Sequence, residues 1–291
     1  TLDPLLVAVL DLIFLVALTW TVAHSLLKRA AGRNLIFLGL LGLLLLANAM
    51  VHAQWLGWTD DTASRGLAAG LGTVGLMIVI VGGRVVPAFT RNELMRQGDD
   101  QTLPRSFAAL DRASILSAML VPLFIIVDAS DIWIGAVALA AALANGLRLC
   151  FWRGATTLKK PILWSLHLGY GWLAVGYAAI ATAHLTSLIS AATAFHVLAI
   201  GAVGGMTMAV MTRAALGHTN RPLIVHPAIA LAYLLIAAAC ISRVAGATFL
   251  ISDYLTVMII SGGLWISGLG LFIAVYLPIL AGPAAPKPTG A

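Results

Sequence analysis

Residues 196–213 read HVLAIGAVGGMTMAVMTR, and residues 214–222 continue as AALGHTNRP. The first stretch is apolar apart from the histidine at its start, two threonines and the arginine at its end, whereas the second is a basic loop with its own histidine. About 20 mostly apolar residues are enough for a helix to cross a bilayer. This stretch therefore predicts a membrane span followed by a basic loop. An ionisable side chain inside such a span is costly and usually functional, so His196 is the first candidate site residue.

The composition of the whole chain agrees with a membrane location. Hydrophobic residues make up 61% of the 291 residues and charged residues only 10%, and the mean hydropathy is +1.00. Soluble domains carry about 25% charged residues. The partner indicated by this composition is the lipid bilayer. The net charge of +6 does not indicate a nucleic-acid partner, because Lys and Arg in membrane proteins mark cytoplasmic loops.

The sequence contains nine apolar segments long enough to span a bilayer, at about 4–27, 35–57, 66–88, 107–127, 131–152, 161–185, 190–212, 223–243 and 251–280. We therefore predict an all-α fold, a polytopic transmembrane helical bundle that forms one domain over residues 1–281. Residues 282–291 are rich in proline and predict a disordered cytoplasmic tail. The chain opens at Thr1 without a signal peptide, so it reads like the middle of a longer protein.

The loops alternate in charge along the chain. Those after the first, third, fifth and seventh spans are basic, and we assign Arg148 to the basic group after the fifth span. The loops between them hold aspartates such as Asp60 and Asp128, with only Arg65 and Arg243 positive. Lys and Arg concentrate on the cytoplasmic side of membrane proteins. The chain is therefore predicted to enter from the outside and to end in the cytoplasm.

A weak internal repeat relates the third and seventh spans. The residues at positions 74, 75, 77, 81 and 84 recur, in the same order and spacing, at positions 203, 204, 206, 210 and 213. The two spans run in the same direction, so the pattern is typical of parallel four-helix repeats. Chance similarity between two glycine-rich apolar helices explains the pattern equally well, and both interpretations stay open.

The sixth span carries His167 above a series of small residues at helical spacing, which includes Gly171 and Ala174. Small residues allow a neighbouring helix to approach closely. The same series would also leave room for a flat macrocycle beside an axial imidazole. Tyr170 flanks this position and would line such a pocket or donate a hydrogen bond in it.

The seventh span and its loop hold the remaining candidates. His196 is either hydrogen-bonded to another helix or a metal ligand, since neutral imidazole is the commonest metal ligand in proteins. His218 lies in a basic loop with Arg213 and Arg221. These two arginines, and Arg84 at the end of the third span, either anchor the cytoplasmic side or hold heme propionates or a small anion through paired hydrogen bonds.

Three segments together resemble one family of bacterial membrane proteins. They are residues 196–221, the LHLGY run at residues 166–170, and the GGR run at residues 82–84 that is followed by Pro87 and by TRN at residues 90–92. In this order they resemble the NnrS family, with Asn220 standing where the family pattern has glycine. The resemblance implies about twelve helices, a bacterial inner-membrane location, bound heme and copper, and a role in nitric oxide metabolism and nitrosative stress resistance.

The family also has an N-terminal helix with a His-x-His-Glu pattern, which this chain lacks. The resemblance therefore implies that the family's N-terminal helices, or a partner subunit, complete the cofactor site. His196 would be an axial heme ligand, and His167 and His218 would form a second ligand set nearer the cytoplasm. The chain has no motif for covalent heme attachment, so the heme would be b-type. Redox chemistry on nitric oxide or on a nitrosylated iron species is the enzymatic activity that this site would carry.

Two other functions fit the same residues. A transporter or permease would account for the parallel repeat, for the glycines at the inner ends of the third and seventh spans, and for the basic cytoplasmic loops. A heme-free interaction subunit would use its intramembrane histidines only for hydrogen bonds between helices.

Overall fold

The computed structural model describes residues 3–28, 35–99, 101–250 and 253–286. Within these residues the chain forms nine long helices. They are α1 (Pro4–Lys28), α2 (Leu35–Trp55), α3 (Thr62–Arg96), α4 (Ala108–Ile126), α5 (Asp131–Cys150), α6 (Pro161–Thr186), α7 (Ala191–His218), α8 (Pro227–Thr248) and α9 (Tyr254–Ala281). Each helix packs against the preceding one, and a short 3₁₀ turn, Gly154–Thr157, lies between α5 and α6. The predicted all-α bundle is confirmed.

Eight of the nine described helices are long and apolar enough to cross a membrane, which confirms a multi-pass membrane protein. The exception is α6, although the sequence predicted a span at residues 161–185. This helix lies at the centre of the bundle, where it contacts α3, α5, α7 and α8. Because most of its surface faces other helices, α6 tolerates polar residues such as His167 and Tyr170, which are both buried. The central position of α6 therefore accounts for its polar residues, and its predicted membrane span stays a prediction.

Helix α3 is longer than predicted. From the sequence, Pro87 predicts an end or a kink of this helix, because proline disrupts helical hydrogen bonding. Residues 92–96 predict a short, separate interfacial helix. Instead α3 continues for 35 residues to Arg96 with Pro87 inside it. A proline removes one backbone hydrogen bond, but ending the helix there would leave several more polar groups without partners, and neighbouring helices make prolines tolerable inside a bundle. The prediction that the helix ends at Pro87 is wrong.

Helix α7 contains a π-helical segment, Val197–Gly204, between two α-helical parts. Sequence reasoning did not predict it. Two glycines in this segment leave room for tryptophan rings. The ring of Trp172 on α6 packs against Gly201, and the ring of Trp265 on α9 packs against Gly204. π-Helical turns are rare in proteins, but many of those that occur lie at functional sites. This one begins directly after His196.

Ala285, four residues after α9, contacts the loop after α7. Ala285 donates a backbone hydrogen bond to the carbonyl of Thr219 over 2.9 Å, and Asn220 donates to the carbonyl of Ala285 over 3.3 Å. Residues 287–291 of the predicted disordered tail lie outside the described residues.

Candidate functional site

His196 lies half-buried on α7, with both ring nitrogens engaged. Its Nδ1 is 2.6 Å from the carbonyl oxygen of Ala192, and its Nε2 is 3.3 Å from Nη2 of Arg243 on α8. A carbonyl oxygen can only accept a hydrogen bond, so Nδ1 carries the proton and donates, and Nε2 accepts from the arginine. The ring is therefore held as the neutral tautomer whose Nε2 lone pair can bind a metal.

The apolar groove along α7 begins about one turn beyond His196, which does not line it, and is smaller than a macrocycle requires. Along α7 from Ala199 to Met211, an apolar groove of about 260 Å³ lies between this helix and Trp265 of α9. Pockets for ligands of moderate size measure about 300–1,000 Å³. A neutral imidazole fits the ligand chemistry of a heme iron, but this groove is too small for the whole group.

His167 is buried and faces α3. Its Nε2 is 2.9 Å from Oγ1 of Thr90, whose hydroxyl donates to the carbonyl of Val86 over 3.0 Å. The hydroxyl proton is used on Val86, so the His167 Nε2–H donates to Thr90 and Nδ1 carries the lone pair. Nδ1 has no hydrogen-bond partner among the described residues. It faces Gly154, where an added Cβ would come within 3.0 Å of it.

The position of His167 limits what this residue can bind. The backbone of the 3₁₀ turn lies against its free nitrogen, which leaves no open space for a macrocycle on that side. Gly171 is the next small residue of the predicted series. A Cβ added there would lie 3.5 Å from the side chain of Leu149 on α5. This part of the series serves helix packing.

The other predicted ligand, His218, is exposed in the last turn of α7. Among the residues that the structure describes, no group of three or more His, Cys, Asp or Glu side chains is arranged to hold a metal ion. His196, at the first turns of α7, and His218, at its last residue, are at opposite ends of one helix. The ligand roles of the three histidines stay predictions: His196 Nε2, the nitrogen that would bind a metal, is hydrogen-bonded to Arg243, and His167 Nδ1 lies against the turn at Gly154.

The structure does not bring the three predicted arginines together. Arg213 stacks on the ring of Phe89, with Cζ 3.6 Å from the ring centroid, beside a cavity of about 690 Å³. Arg221 donates to the carbonyl oxygens of Ile279 and Pro283, both over 3.5 Å. Arg84 is exposed and lines a different cavity, of about 540 Å³. A single anion cannot be held by all three side chains in this arrangement.

Tyr170 belongs to a buried polar network that sequence reasoning missed. Its hydroxyl accepts a hydrogen bond from Nη1 of Arg148 over 2.7 Å and donates to Oδ1 of Asn145 over 2.6 Å. Nε of Arg148 forms an ion pair with Asp111 Oδ1 at 2.8 Å. Arg148 also donates to the carbonyl of Val79 over 3.3 Å. The Tyr170 hydroxyl is thus already occupied within the protein.

Arg148 was assigned to a basic loop, but only 4% of its surface is exposed. It lies inside the bundle on α5, where a charge is costly unless it is paired. The sequence contained a signal for this site, since Asn145 and Arg148 are three residues apart inside an apolar run. Residues at that spacing lie on the same face of a helix.

The two glycines before Arg84 are explained by the same network. A Cβ at Gly82 would come within 3.1 Å of the Tyr170 ring, and a Cβ at Gly83 would collide with the guanidinium of Arg148. The GGR run therefore lets two side chains from α5 and α6 lie directly against the backbone of α3.

A further pair involves a residue not selected from the sequence. On the predicted outer side, His52 of α2 donates from Nε2 to Asp11 Oδ2 of α1 over 2.9 Å. Asn48 donates to the same carboxylate oxygen over 2.6 Å. An aspartate inside the first span was the signal that could have indicated this contact.

Comparisons with known proteins agree with the resemblance of the three segments. The model of the NnrS protein family matches residues 2–284, which is nearly the whole chain. No curated protein and no solved structure gives a significant match. The chain therefore belongs to the NnrS protein family.

Proposed function

We propose that this protein binds heme in the bacterial inner membrane through His196, and that it acts in nitric oxide metabolism and nitrosative stress resistance. The observation that carries the proposal is the pair of hydrogen bonds made by the His196 ring, which favours the tautomer protonated on Nδ1. Its Nδ1–H is held by the carbonyl of Ala192, which leaves the Nε2 lone pair directed away from its own helix. A hydrogen bond on one nitrogen that orients the other is the usual arrangement of a metal-bound histidine.

The surroundings of His196 support a role beyond packing. The π-helical segment begins at the next residue, and such segments are frequent at functional sites. Arg243 holds the Nε2 side of the ring and would have to move to let a metal bind. Once moved away from His196, the Arg243 guanidinium would be suited to pair with a carboxylate such as a heme propionate.

The apolar groove along α7 does not include His196 in its lining and is too small for the macrocycle, so other parts of the protein or a partner subunit would enclose the heme. A bound heme would supply an iron at which nitric oxide coordinates. This chain would contribute the His196 imidazole as a ligand, the apolar surface of α7 and α9 that excludes water, and the orientation of the ring by the carbonyl of Ala192. Met208 and Met211 line the same groove, and thioethers favour Cu(I), so copper is the second metal that we propose to measure.

The test uses the full-length protein purified from membranes, with heme measured by Soret absorption and copper by metal analysis. We expect His196→Gln to lower the heme content at least severalfold without changing the elution volume in size-exclusion chromatography. His184→Gln is the matched control. Like His196, His184 lies near the predicted outer side of the membrane, but its Nδ1 is paired with Asp131 at 2.7 Å. Wild-type protein without heme and copper, or a His196→Gln variant with the wild-type amount, would refute the proposal.

A permease is the second candidate function. It is favoured by the two cavities of about 690 and 540 Å³ at one end of the bundle, both lined by arginines. Flux of an anion into liposomes that contain the wild-type protein, unchanged in His196→Gln, would favour the permease over heme chemistry. If neither flux nor a cofactor is found, a heme-free interaction subunit is the remaining explanation.

A further inference from the structure

The cavity of about 540 Å³ lies between α3, α4 and α5, at their predicted cytoplasmic ends. We call it the Arg148 cavity. Its charged lining residues are Arg84, Arg91, Arg112, Arg148 and Asp111. Asp111 is already paired with Arg148 at 2.8 Å. The lining therefore keeps a clear excess of positive charge.

Arg148 forms the deepest charged part of this cavity. Its Nη1 donates to Tyr170 and to the carbonyl of Val79 on α3, and its Nε is ion-paired with Asp111 at 2.8 Å without the geometry of a hydrogen bond. Its Nη2 lies against Gly83, which also lines the cavity, and makes no hydrogen bond with any described residue. The absence of a Cβ at Gly83 is what allows the guanidinium to reach this wall. A buried guanidinium with an unused terminal nitrogen can form one more strong, charge-assisted hydrogen bond.

The start of α4 adds hydrogen-bond donors to the same cavity. Residues Ser106 and Ala108 line the cavity, and the capping residue between them is Phe107, whose side chain cannot accept a hydrogen bond. The first backbone N–H of α4 with a partner in the helix is that of Asp111, 2.9 Å from the carbonyl of Phe107. The amides before it are free at the N-terminus of the helix, where the helix dipole favours an anion.

Two of the other lining arginines, Arg91 and Arg112, are oriented by hydrogen bonds that use only part of each guanidinium. Arg91 donates from Nη2 to the carbonyl of Pro104 over 2.9 Å. Arg112 donates from Nε to the carbonyl of Ala108 over 3.2 Å. Both bonds leave further N–H groups for a ligand, since each guanidinium has five.

We propose that the Arg148 cavity binds a phosphate-type oxyanion, either inorganic phosphate or the phosphate of a phospholipid headgroup. Several forked guanidinium groups and a free helix N-terminus match an anion with three or more oxygen atoms. Basic pockets between helices on the cytoplasmic side of a membrane are also places where anionic headgroups bind. The site does not include His196, so it is independent of the proposed heme.

The test compares the wild-type chain with the double variant Arg84→Gln/Arg112→Gln. Both arginines can be replaced without leaving Asp111 and Tyr170 unpaired, because those residues contact Arg148 instead. Arg105→Gln is the matched control, since Arg105 is exposed in the connection between α3 and α4 but does not line the cavity. Size-exclusion chromatography of each variant shows whether it folds as the wild type does.

Two measurements distinguish the sources of the phosphate. Total phosphorus and mass spectrometry report any phospholipid that purifies with the protein, and isothermal titration with inorganic phosphate is done on delipidated protein. Each lost arginine is expected to weaken phosphate binding about tenfold or more, so the double variant should bind about 100-fold more weakly. Retained phospholipid in the wild type, lost in the double variant and kept in Arg105→Gln, identifies the headgroup as the ligand.

Saturable binding of inorganic phosphate to the delipidated wild type identifies the free anion instead. The proposal is wrong if the wild type shows neither signal, or if the double variant keeps both. His196→Gln should leave the result unchanged, so failure here does not bear on the heme proposal.

Discussion

Replacement of Gly83 by alanine should destabilise the protein, although alanine is the better helix former. The new Cβ would collide with the guanidinium of Arg148. That group cannot simply move aside, because it pairs with Asp111 at 2.8 Å and donates to Tyr170 over 2.7 Å. The alanine therefore separates a buried charge from its partners.

The size of the effect follows from two opposing contributions. Loss of a partner from a buried ion pair costs about 3–5 kcal/mol. Alanine in place of glycine inside a helix gains about 1 kcal/mol. We therefore expect Gly83→Ala to lower the free energy of unfolding by about 2–4 kcal/mol.

The assay is reversible unfolding of the purified protein in detergent micelles, followed by circular dichroism. Gly146→Ala is the matched control. Gly146 is two residues from Arg148 on α5, and a Cβ there meets no atom within 4 Å, so this variant should be as stable as the wild type or more so. The reasoning is refuted if Gly83→Ala is as stable as Gly146→Ala.

A double-mutant cycle identifies the cause. In an Arg148→Met background the collision partner is gone, and Gly83→Ala should then cost less than about 1 kcal/mol. An equal cost in both backgrounds would mean that the alanine acts through something other than Arg148.

Three further changes should have measurable effects in the same unfolding assay. Tyr170→Phe removes the hydroxyl that accepts from Arg148 and should cost about 1.5–3 kcal/mol; an unchanged stability would show that the network contributes nothing. Thr90→Val leaves the His167 Nε2–H without its acceptor and should cost about 1–3 kcal/mol, whereas Thr90→Ser should stay near wild type. Gly66→Ala places a Cβ 2.5 Å from a backbone carbonyl of α2 and should cost about 1–3 kcal/mol; wild-type stability would mean that α2 and α3 separate easily.

The order of the helices could be predicted from apolar runs, because a bilayer selects most spans by their own composition; α6 is the one described long helix that is not apolar enough for this criterion. The bounds of α1, α4 and α5 differ by only one or two residues from the predicted ones. The end of α3 was missed by eight residues, since Arg96 rather than residue 88 closes it. A polar segment after a proline looks like a loop in sequence, whereas the helix continues because its neighbours support it. The predicted orientation in the membrane stays a prediction.

The candidate site was harder to predict because side chains from distant parts of the chain must meet. Arg84, Arg213 and Arg221 share one predicted membrane side, yet each contacts different groups. Arg148 looked like a loop cation and is buried. Charge patterns report the side of a membrane on which a residue lies, but they do not report which helix it faces.

Amino-acid order alone was enough for the family, the helical class and the sequence of spans, because these depend on motifs and on apolar runs that act locally. The arrangement of helices around α6 decided the rest: which nitrogen of His196 and His167 carries the proton, and which partner Arg148 finds. Hydrogen bonds and ion pairs act over about 3 Å, so they depend on how the helices pack, and a linear pattern contains no distance between residues on different helices.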